Sequence, residues 1–281
     1  MRFHGGYLRA LIRPEYLPTR TPHPGLRRPP RKTRSAQRTL PPAEAVYALL
    51  GQTAMGNVAR TVFLFDVDNT LLDNDAVQND LSTYLEREVG LVSRDRYWEI
   101  FEQLRSELGY ADYLGALQRY RLEHQDDPQL LRISFFLLDY PFAERLYSGA
   151  LAALARCREL GPTVILSDGD VVFQPRKVQR SGLWKAVEQR VLIYLHKEQM
   201  LASVAQRYPA ERYVMVDDKL RILAAMKKVW GPRLTAIFPR QGHYALDPRE
   251  VAAYPPADVT LESIAELADL PAAMLCGARP G

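Results

Sequence analysis

The sequence predicts an α/β protein in which helices flank a parallel β-sheet. Three observations support this fold class: five short apolar runs, a helix-length segment before each of the last four, and a long helical insertion after the first. Strands that alternate with helices of this length form parallel sheets through right-handed crossovers.

The first candidate strand is the run TVFLF at 61–65, in which β-branched and aromatic residues follow one another without a polar break. A strand that is buried on both faces of a parallel sheet has this composition. Four similar runs follow along the chain, at 163–167, 190–195, 212–216 and 234–238. The helical segments before these four runs lie at about 147–160, 172–182, 198–208 and 219–229.

Between Asp75 and the second run the chain has about seventy extra residues, and they repeat apolar side chains at helical spacing. The two repeats are Leu81, Tyr84, Leu85 and Val89, then Tyr97, Phe101, Leu104 and Leu108. An insertion of this length with its own apolar faces predicts a small helical cap domain at residues 78–145. The sheet domain then comprises residues 59–77 and 146–270, and a C-terminal tail follows at 271–281.

Residues 1–58 form a leader of different composition. Residues 1–60 hold eleven Lys and Arg against two Glu, a net charge of +9, and residues 1–42 hold eight of the twenty prolines. Such a segment buries too little apolar surface to offset its ordering entropy, so we expect a disordered tail rather than a nucleic-acid arm. Because the whole chain carries +4, the rest of it carries −5, which argues against nucleic acid as a partner.

The remaining composition bears on the compartment. Cys157 and Cys276 are too few for a disulfide framework and fit a reducing environment, so we expect a cytoplasmic protein. No run of about 18 apolar residues is present, so we expect no membrane span.

Polar side chains follow the first four predicted strands at their carboxyl ends. The first strand leads into Asp66, Asp68 and Thr70, the second ends in Ser167, the third leads to Lys197, and the fourth leads into Asp217 and Asp218. In an open parallel sheet, ligands bind beyond these ends. Carboxylates from the first and fourth strands can share a hard divalent cation such as Mg²⁺, while the hydroxyl and the ammonium hold an anion beside it. This combination predicts a phosphoryl-transfer site.

The order of these motifs resembles the haloacid dehalogenase (HAD) superfamily. The resemblance rests on DVDNT at 66–70, a hydrophobic strand that ends in Ser167, then Lys197, then VMVDD at 214–218, and it covers nearly all of residues 61–245. It implies a Rossmann-like sheet with a helical cap inserted after the first motif. Phosphoglycolate phosphatase and β-phosphoglucomutase represent the branch of the superfamily that the chain resembles.

The resemblance also implies roles for the carboxylates. Asp66 would be the nucleophile that forms an aspartyl-phosphate, and Asp68 would be the general acid for the leaving oxygen and then the base for water. Mg²⁺ would bind the Asp66 carboxylate, the Asp68 backbone carbonyl and a fourth-strand carboxylate. We favour Asp218 for that last ligand, with Asp217 beside it.

Ser167 and Lys197 would bind phosphate oxygens, with Thr70 as a further candidate. Lys177, on the helix after the second strand, is a rival to Lys197. Lysines on helix surfaces are usually solvated, whereas Lys197 directly follows a buried strand. We therefore assign the phosphate-binding role to Lys197 and expect Lys177 to face solvent.

Two residues after the last strand are candidates for substrate contact. Arg240 and His243, in FPRQGHY at 238–244, could reach an anionic substrate, and an ordinary basic loop explains them equally well. His196 lies in no metal-ligand spacing, so we interpret it as a packed neighbour of Lys197.

Together these inferences predict a Mg²⁺-dependent phosphatase that acts on a small phosphorylated metabolite or nucleotide. Asp68 argues against a dehalogenase, because expelling halide from carbon needs no acid whereas expelling an alkoxide does. A phosphomutase or phosphotransferase would carry the same motifs. A non-catalytic metabolite-binding or regulatory protein is the alternative from a different class. The sequence specifies neither the substrate nor the oligomeric state.

The leader is either a true appendage or the product of a start assigned upstream of Met55. A chain that begins at Met55 should unfold at the same temperature and have the same catalytic efficiency as the full chain, because a disordered leader makes no contact with the core. Thermal unfolding and steady-state kinetics of the two chains measure this. A lower melting temperature for the shorter chain would show that the leader packs on the core.

Overall fold

The computed structural model describes residues 58–276, so the predicted leader up to residue 57 and the tail from residue 277 lie outside the described residues. Six strands form one sheet: β1 (Ala59–Phe65), β2 (Thr163–Asp168), β3 (Val191–Tyr194), β4 (Ala210–Val216), β5 (Leu234–Pro239) and β6 (Val259–Leu261). All neighbours pair in parallel, in the order β3-β2-β1-β4-β5-β6. This is a doubly wound order, and the predicted Rossmann-like α/β class is confirmed.

The central strand β1 contributes side chains to an apolar core on each face of the sheet. Val62 and Leu64 belong to one core and Phe63 and Phe65 to the other, because successive strand residues point to opposite faces. All four side chains are buried, as the continuous apolar run predicts.

Four helices form the insertion after β1: α1 (Asn74–Val89), α2 (Leu91–Leu108), α3 (Tyr113–Glu123) and α4 (Gln129–Asp139). The side chain of Asp73 caps α1 by accepting a hydrogen bond of 2.9 Å from the N–H of Ala76, so the helical region begins before residue 78. The aromatic ring of Tyr113 lies 4.8 Å from that of Phe101 and 5.0 Å from that of Phe173. The cap therefore shares an apolar core with the sheet domain.

The remaining helices lie between or after the strands: α5 (Ala150–Leu160), α6 (Phe173–Arg180), α7 (Leu183–Ala186), α8 (Leu201–Arg207), α9 (Leu220–Trp230), α10 (Gly242–Leu246), α11 (Pro248–Ala252) and α12 (Ala272–Cys276). Short 3₁₀ turns occur at Phe142–Arg145, Lys197–Gln199, Gly231–Arg233 and Ile264–Asp269. Helix α12 lies in the predicted tail, but its Leu275 is buried, so this part of the tail packs on the core. Between residues 58 and 276, no helix combines the length and apolarity of a membrane span.

Candidate active site

The candidates on the first motif lie in a tight turn directly after β1. The N–H of Asp66 donates to the carbonyl of Val216 at 3.0 Å, so β4 still holds the chain at this point. The N–H of Leu72 then donates to the carbonyl of Val67, also at 3.0 Å, and closes the turn around Asp68. The backbone thereby holds Asp66 and Asp68 at the carboxyl edge of the sheet.

Three carboxylates meet at this edge. Asp66, Asp217 and Asp218 are buried and each offers an oxygen within 4.8 Å of the others. The ammonium of Lys197 lies 2.5 Å from Oδ1 of Asp66 and 2.7 Å from Oδ2 of Asp217. One buried cation therefore contacts two of the three carboxylates, and Asp218 is outside this ion-pair network.

The three carboxylates of the cluster differ in the direction in which their pKa values are shifted. Burial raises the pKa of Asp217 to about 6, although the Lys197 ammonium opposes the rise. Burial also raises the pKa of Asp218 well above its ordinary value, against the attraction of Lys219. For Asp66 burial acts in the same direction, but Lys197 and Lys219 outweigh it and the pKa is lowered. A further positive charge would favour ionisation of the two fourth-strand carboxylates.

These residues fit a hard divalent cation. Both oxygens of Asp218 and Oδ2 of Asp66 are buried without a hydrogen-bond partner among the residues that the structure describes. Buried polar oxygens are nearly always satisfied, and carboxylates are the ligands that Mg²⁺ prefers. Asp66 and Asp218 are accordingly the best-placed side-chain ligands, with Asp217 adjacent but paired to Lys197.

Hydroxyl groups lie beside the carboxylates. Ser167 donates to Oδ1 of Asp66 at 3.1 Å, and Gln174 donates to the Ser167 hydroxyl at 3.0 Å. The hydroxyl of Thr70 accepts from the N–H of Asp218 at 3.0 Å, which fixes the fourth-strand loop against the first. Gln174, which the sequence did not single out, thus orients Ser167.

Asp168 sets the position of Lys197. Its carboxylate accepts from the backbone N–H of Lys197 at 2.7 Å, where the 3₁₀ turn Lys197–Gln199 begins. Burial raises the pKa of Asp168 despite the opposing charge of Lys197. Its place directly after Ser167 was the only sequence signal for this role.

Lys177 does not face solvent, so that expectation is wrong. Its side chain is 0% exposed, and its ammonium lies 2.7 Å from Oδ1 of Asp68 and 2.9 Å from Oδ1 of Asn74. The helix register explains the burial, because Lys177 follows Phe173 by one turn of α6 and precedes the buried Val178.

His243 is held by Asp75. Its Nδ1 lies 2.6 Å from Oδ1 of Asp75, and its backbone N–H donates to Oδ2 at 2.8 Å. Asn69 donates to Oδ1 of the same carboxylate at 2.9 Å. Gly242 permits this approach, since it has a φ of 72° and a Cβ there would lie 2.4 Å from Cβ of Asn69. The contact at Nδ1 leaves Nε2 as the ring nitrogen that can reach a substrate.

Arg240 is not brought to the same place. Its guanidinium pairs with Glu262 at 3.0 Å, and both side chains are exposed. Its backbone N–H donates to the carbonyl of Leu261 at 2.8 Å. This hydrogen bond holds Arg240 beside the edge strand β6. The structure therefore places Arg240 in a surface ion pair instead of at a substrate.

A cavity of about 290 Å³ separates the cap from the carboxyl edge of the sheet. Its lining includes Asp68 and Asp218 from the sheet domain, Arg105 and Tyr110 from the cap, and His243 and Tyr244 from helix α10. Gly109, with a φ of 79°, lets the cap approach His196, the residue before Lys197. A Cβ at position 109 would lie 2.6 Å from Cε1 of His196. The cavity has the size and mixed lining of a small-molecule site.

Comparison with protein-family models matches residues 61–229 to the haloacid dehalogenase-like hydrolases. The chain belongs to this family. The crystal structure of a haloacid dehalogenase-like hydrolase from Burkholderia xenovorans LB400 is 67% identical, covers 76% of this chain and 99% of that chain, and has a TM-score of 0.73. The resemblance to the HAD superfamily is thus confirmed. Comparison with curated protein sequences gives no match.

Two more distant HAD-like structures share the fold alone. A HAD hydrolase from Bacillus subtilis bound to magnesium is 16% identical, with 75% of this chain and 97% of that chain covered and a TM-score of 0.50. An L-2-haloacid dehalogenase is 17% identical, with 76% and 99% covered and a TM-score of 0.55. The family model and the 67% identical structure show that the protein is a HAD-like hydrolase, and these two distant structures do not specify its substrate.

Proposed function

We propose that the protein is a Mg²⁺-dependent phosphatase that hydrolyses a small phosphomonoester through an aspartyl-phosphate. The buried cluster of Asp66, Asp217 and Asp218 carries the proposal, because Asp218 has two buried oxygens without a partner among the described residues. A cation held by Asp66, Asp218 and the carbonyl of Asp68 would satisfy these oxygens and supply positive charge against the phosphate dianion.

In the first step a carboxylate oxygen of Asp66 attacks phosphorus as the bond to the leaving alkoxide breaks. Asp68 gives its proton to the leaving oxygen, so the alcohol departs neutral. The side chain of Asp68 is 22% exposed and lines the cavity, whereas Asp66 is buried. A halide leaves carbon without a proton, so an acid at Asp68 favours a phosphate ester over a haloacid.

In the second step the Asp68 carboxylate takes a proton from water, whose oxygen attacks phosphorus. The bond from phosphorus to Asp66 breaks, which regenerates its carboxylate and releases inorganic phosphate. The two carboxylates differ in their access to the cavity. Asp66 is buried beside Lys197, whereas the side chain of Asp68 is 22% exposed and lines the cavity, where a leaving group and water can reach it.

Lys197 and Ser167 would hold the phosphoryl oxygens. Both contact Oδ1 of Asp66, the carboxylate that forms the bond to phosphorus, at 2.5 and 3.1 Å. Burial opposes the charge of Lys197, but Asp217 and Asp66 outweigh it and raise the pKa, so the ammonium stays charged. Thr70 would act indirectly, by holding the loop of the fourth-strand carboxylates.

We also propose that the substrate is a small phosphorylated metabolite or nucleotide, with His243 beside its leaving group. The volume of the cavity and its lining by polar and aromatic side chains support a ligand of this size. The described cysteines, Cys157 and Cys276, are free, which is consistent with the cytoplasmic location that we propose.

The wild-type protein is expected to release inorganic phosphate from 4-nitrophenyl phosphate in Mg²⁺ and to fall to background rates in EDTA. Mg²⁺ should also raise its melting temperature, since a ligand that binds the folded state stabilises it, and Asp218→Asn should remove this rise. Chloride release from a 2-haloacid, measured in parallel, serves as the control reaction. Full activity in EDTA, or halide release without phosphate release, would contradict the proposal, and transfer to an added sugar would indicate a phosphotransferase.

A further inference from the structure

Lys177 is enclosed at the junction of the sheet domain and the cap. Its side chain is 0% exposed, and its Nζ lies 5.1 Å from the ring centroid of Phe173 and 5.8 Å from that of Tyr113. Burying an ammonium is strongly unfavourable unless its charge is matched and its protons are bonded. The groups that bond Lys177 therefore explain its presence there.

The ammonium of Lys177 bonds Oδ1 of Asp68 at 2.7 Å and Oδ1 of Asn74 at 2.9 Å. The amide of Asn74 donates to the Tyr113 hydroxyl at 3.1 Å, and the amide of Gln78 donates to the same hydroxyl at 2.9 Å. Asn74 and Gln78 lie on α1, and Tyr113 begins α3. The network thus runs from Asp68 into the cap.

As a result, the two oxygens of Asp68 are not equivalent. Lys177 anchors Oδ1, whereas Oδ2 has only a loose contact of 3.4 Å, with the amide of Gln174, among the residues that the structure describes. Oδ2 is therefore the oxygen that can exchange a proton with a substrate in the cavity. A charge-assisted bond to Oδ1 restricts rotation of the carboxylate.

We propose that Lys177 is a positioning residue that orients the Asp68 carboxylate for proton transfer to the leaving group. Asn74 links this pair to the first cap helix. The inference rests on the proposed function, because it requires Asp68 to act as the general acid. The role proposed for Lys177 differs from that of Lys197, which contacts Asp66 on the phosphoryl side of the site.

Lys177→Met tests the inference, because Met keeps an apolar chain of similar length and removes the ammonium. Phenyl phosphate and 4-nitrophenyl phosphate transfer the same group, but phenolate is the poorer leaving group and needs the proton more. We expect kcat/KM to fall on the order of 10²-fold for phenyl phosphate and by less than about fivefold for 4-nitrophenyl phosphate. The same substitution at an exposed lysine, Lys185→Met, should leave both values unchanged.

Two further measurements separate positioning from packing. Adding Lys177→Met to Asp68→Asn should cause no further loss of activity, because the effects of substituting residues that act through one group are not additive. The rise in melting temperature with Mg²⁺ should persist in Lys177→Met, since this lysine does not contact the acidic cluster. If the Met variant does not fold, Lys177→Gln, which keeps a donor, allows the same comparison.

Equal losses on the two esters, or additive losses in the double variant, would overturn the inference and assign Lys177 a packing role alone. Wild-type turnover distinguishes this failure from failure of the proposed function. A wild-type protein that hydrolyses neither ester refutes the phosphatase proposal and the role of Lys177 together. A wild-type protein that hydrolyses both, with an unselective Lys177→Met variant, refutes only the role of Lys177.

Discussion

Asp66→Asn is expected to abolish turnover and to prevent formation of any phosphoenzyme. The amide has nearly the shape of the carboxylate, but its oxygen is uncharged and a far weaker nucleophile. Lys197 and Ser167 converge on Oδ1 of Asp66, so the substitution acts on the group that must bond to phosphorus. Steady-state phosphate release and acid-quench trapping of protein from radiolabelled substrate measure the two effects.

Asp68→Asn is the matched control, since it makes the same change two residues further on. It keeps the nucleophile, so a phosphoenzyme should still form from 4-nitrophenyl phosphate while turnover falls by about 10²–10⁴-fold. If Asp66→Asn forms a phosphoenzyme that can be trapped, or if the turnover of Asp66→Asn stays within about tenfold of wild type, another group attacks phosphorus.

The strands around the site could be predicted because each is buried on both faces. The core positions of β1 follow one another without a polar break, so the sequence shows a continuous run at 61–65. Strand β6 carries no such signal. It has three residues, Val259–Leu261, of which only Leu261 is buried, and so short a run cannot be distinguished from a loop.

The acidic cluster could be predicted for a topological reason. Asp66 follows β1 and Asp217 and Asp218 follow β4, and parallel pairing of these two strands brings their carboxyl ends together. Gln174 reaches the site from helix α6 instead. Whether a helical side chain points into the site depends on where the helix packs. The neighbouring residues in the sequence do not determine that packing.

Lys177 shows where a general preference overrode a local signal. Phe173, Lys177 and Val178 share one face of α6, and this helical spacing indicates burial of the lysine. The expectation of a solvated side chain followed instead from the usual exposure of lysine. Its counter-charge, Asp68, lies 109 positions away in sequence, so only the folded chain reveals the pair that makes burial possible.

Lys197→Met is expected to lower kcat/KM by about 10²–10³-fold for phenyl phosphate and 4-nitrophenyl phosphate alike. The ammonium contacts Oδ1 of Asp66 and so stabilises charge on the phosphoryl group, which the two esters share. The same substitution at Lys177 should instead discriminate between the esters, because that lysine acts on the leaving group. Steady-state kinetics of both variants on both esters measure this difference.

Lys197→Met should also change how the fold responds to Mg²⁺. The ammonium lies 2.5 Å from Asp66 and 2.7 Å from Asp217, and removing one partner of a buried ion pair destabilises a protein by about 3–5 kcal/mol. Without Mg²⁺ the variant should therefore melt below the wild type. Mg²⁺ should then raise its melting temperature by more than that of the wild type, because the cation offsets a repulsion that Lys197 otherwise relieves. Lys185→Met should match the wild type in both conditions, and equal Mg²⁺ shifts in Lys197→Met and wild type would place the cation away from these carboxylates.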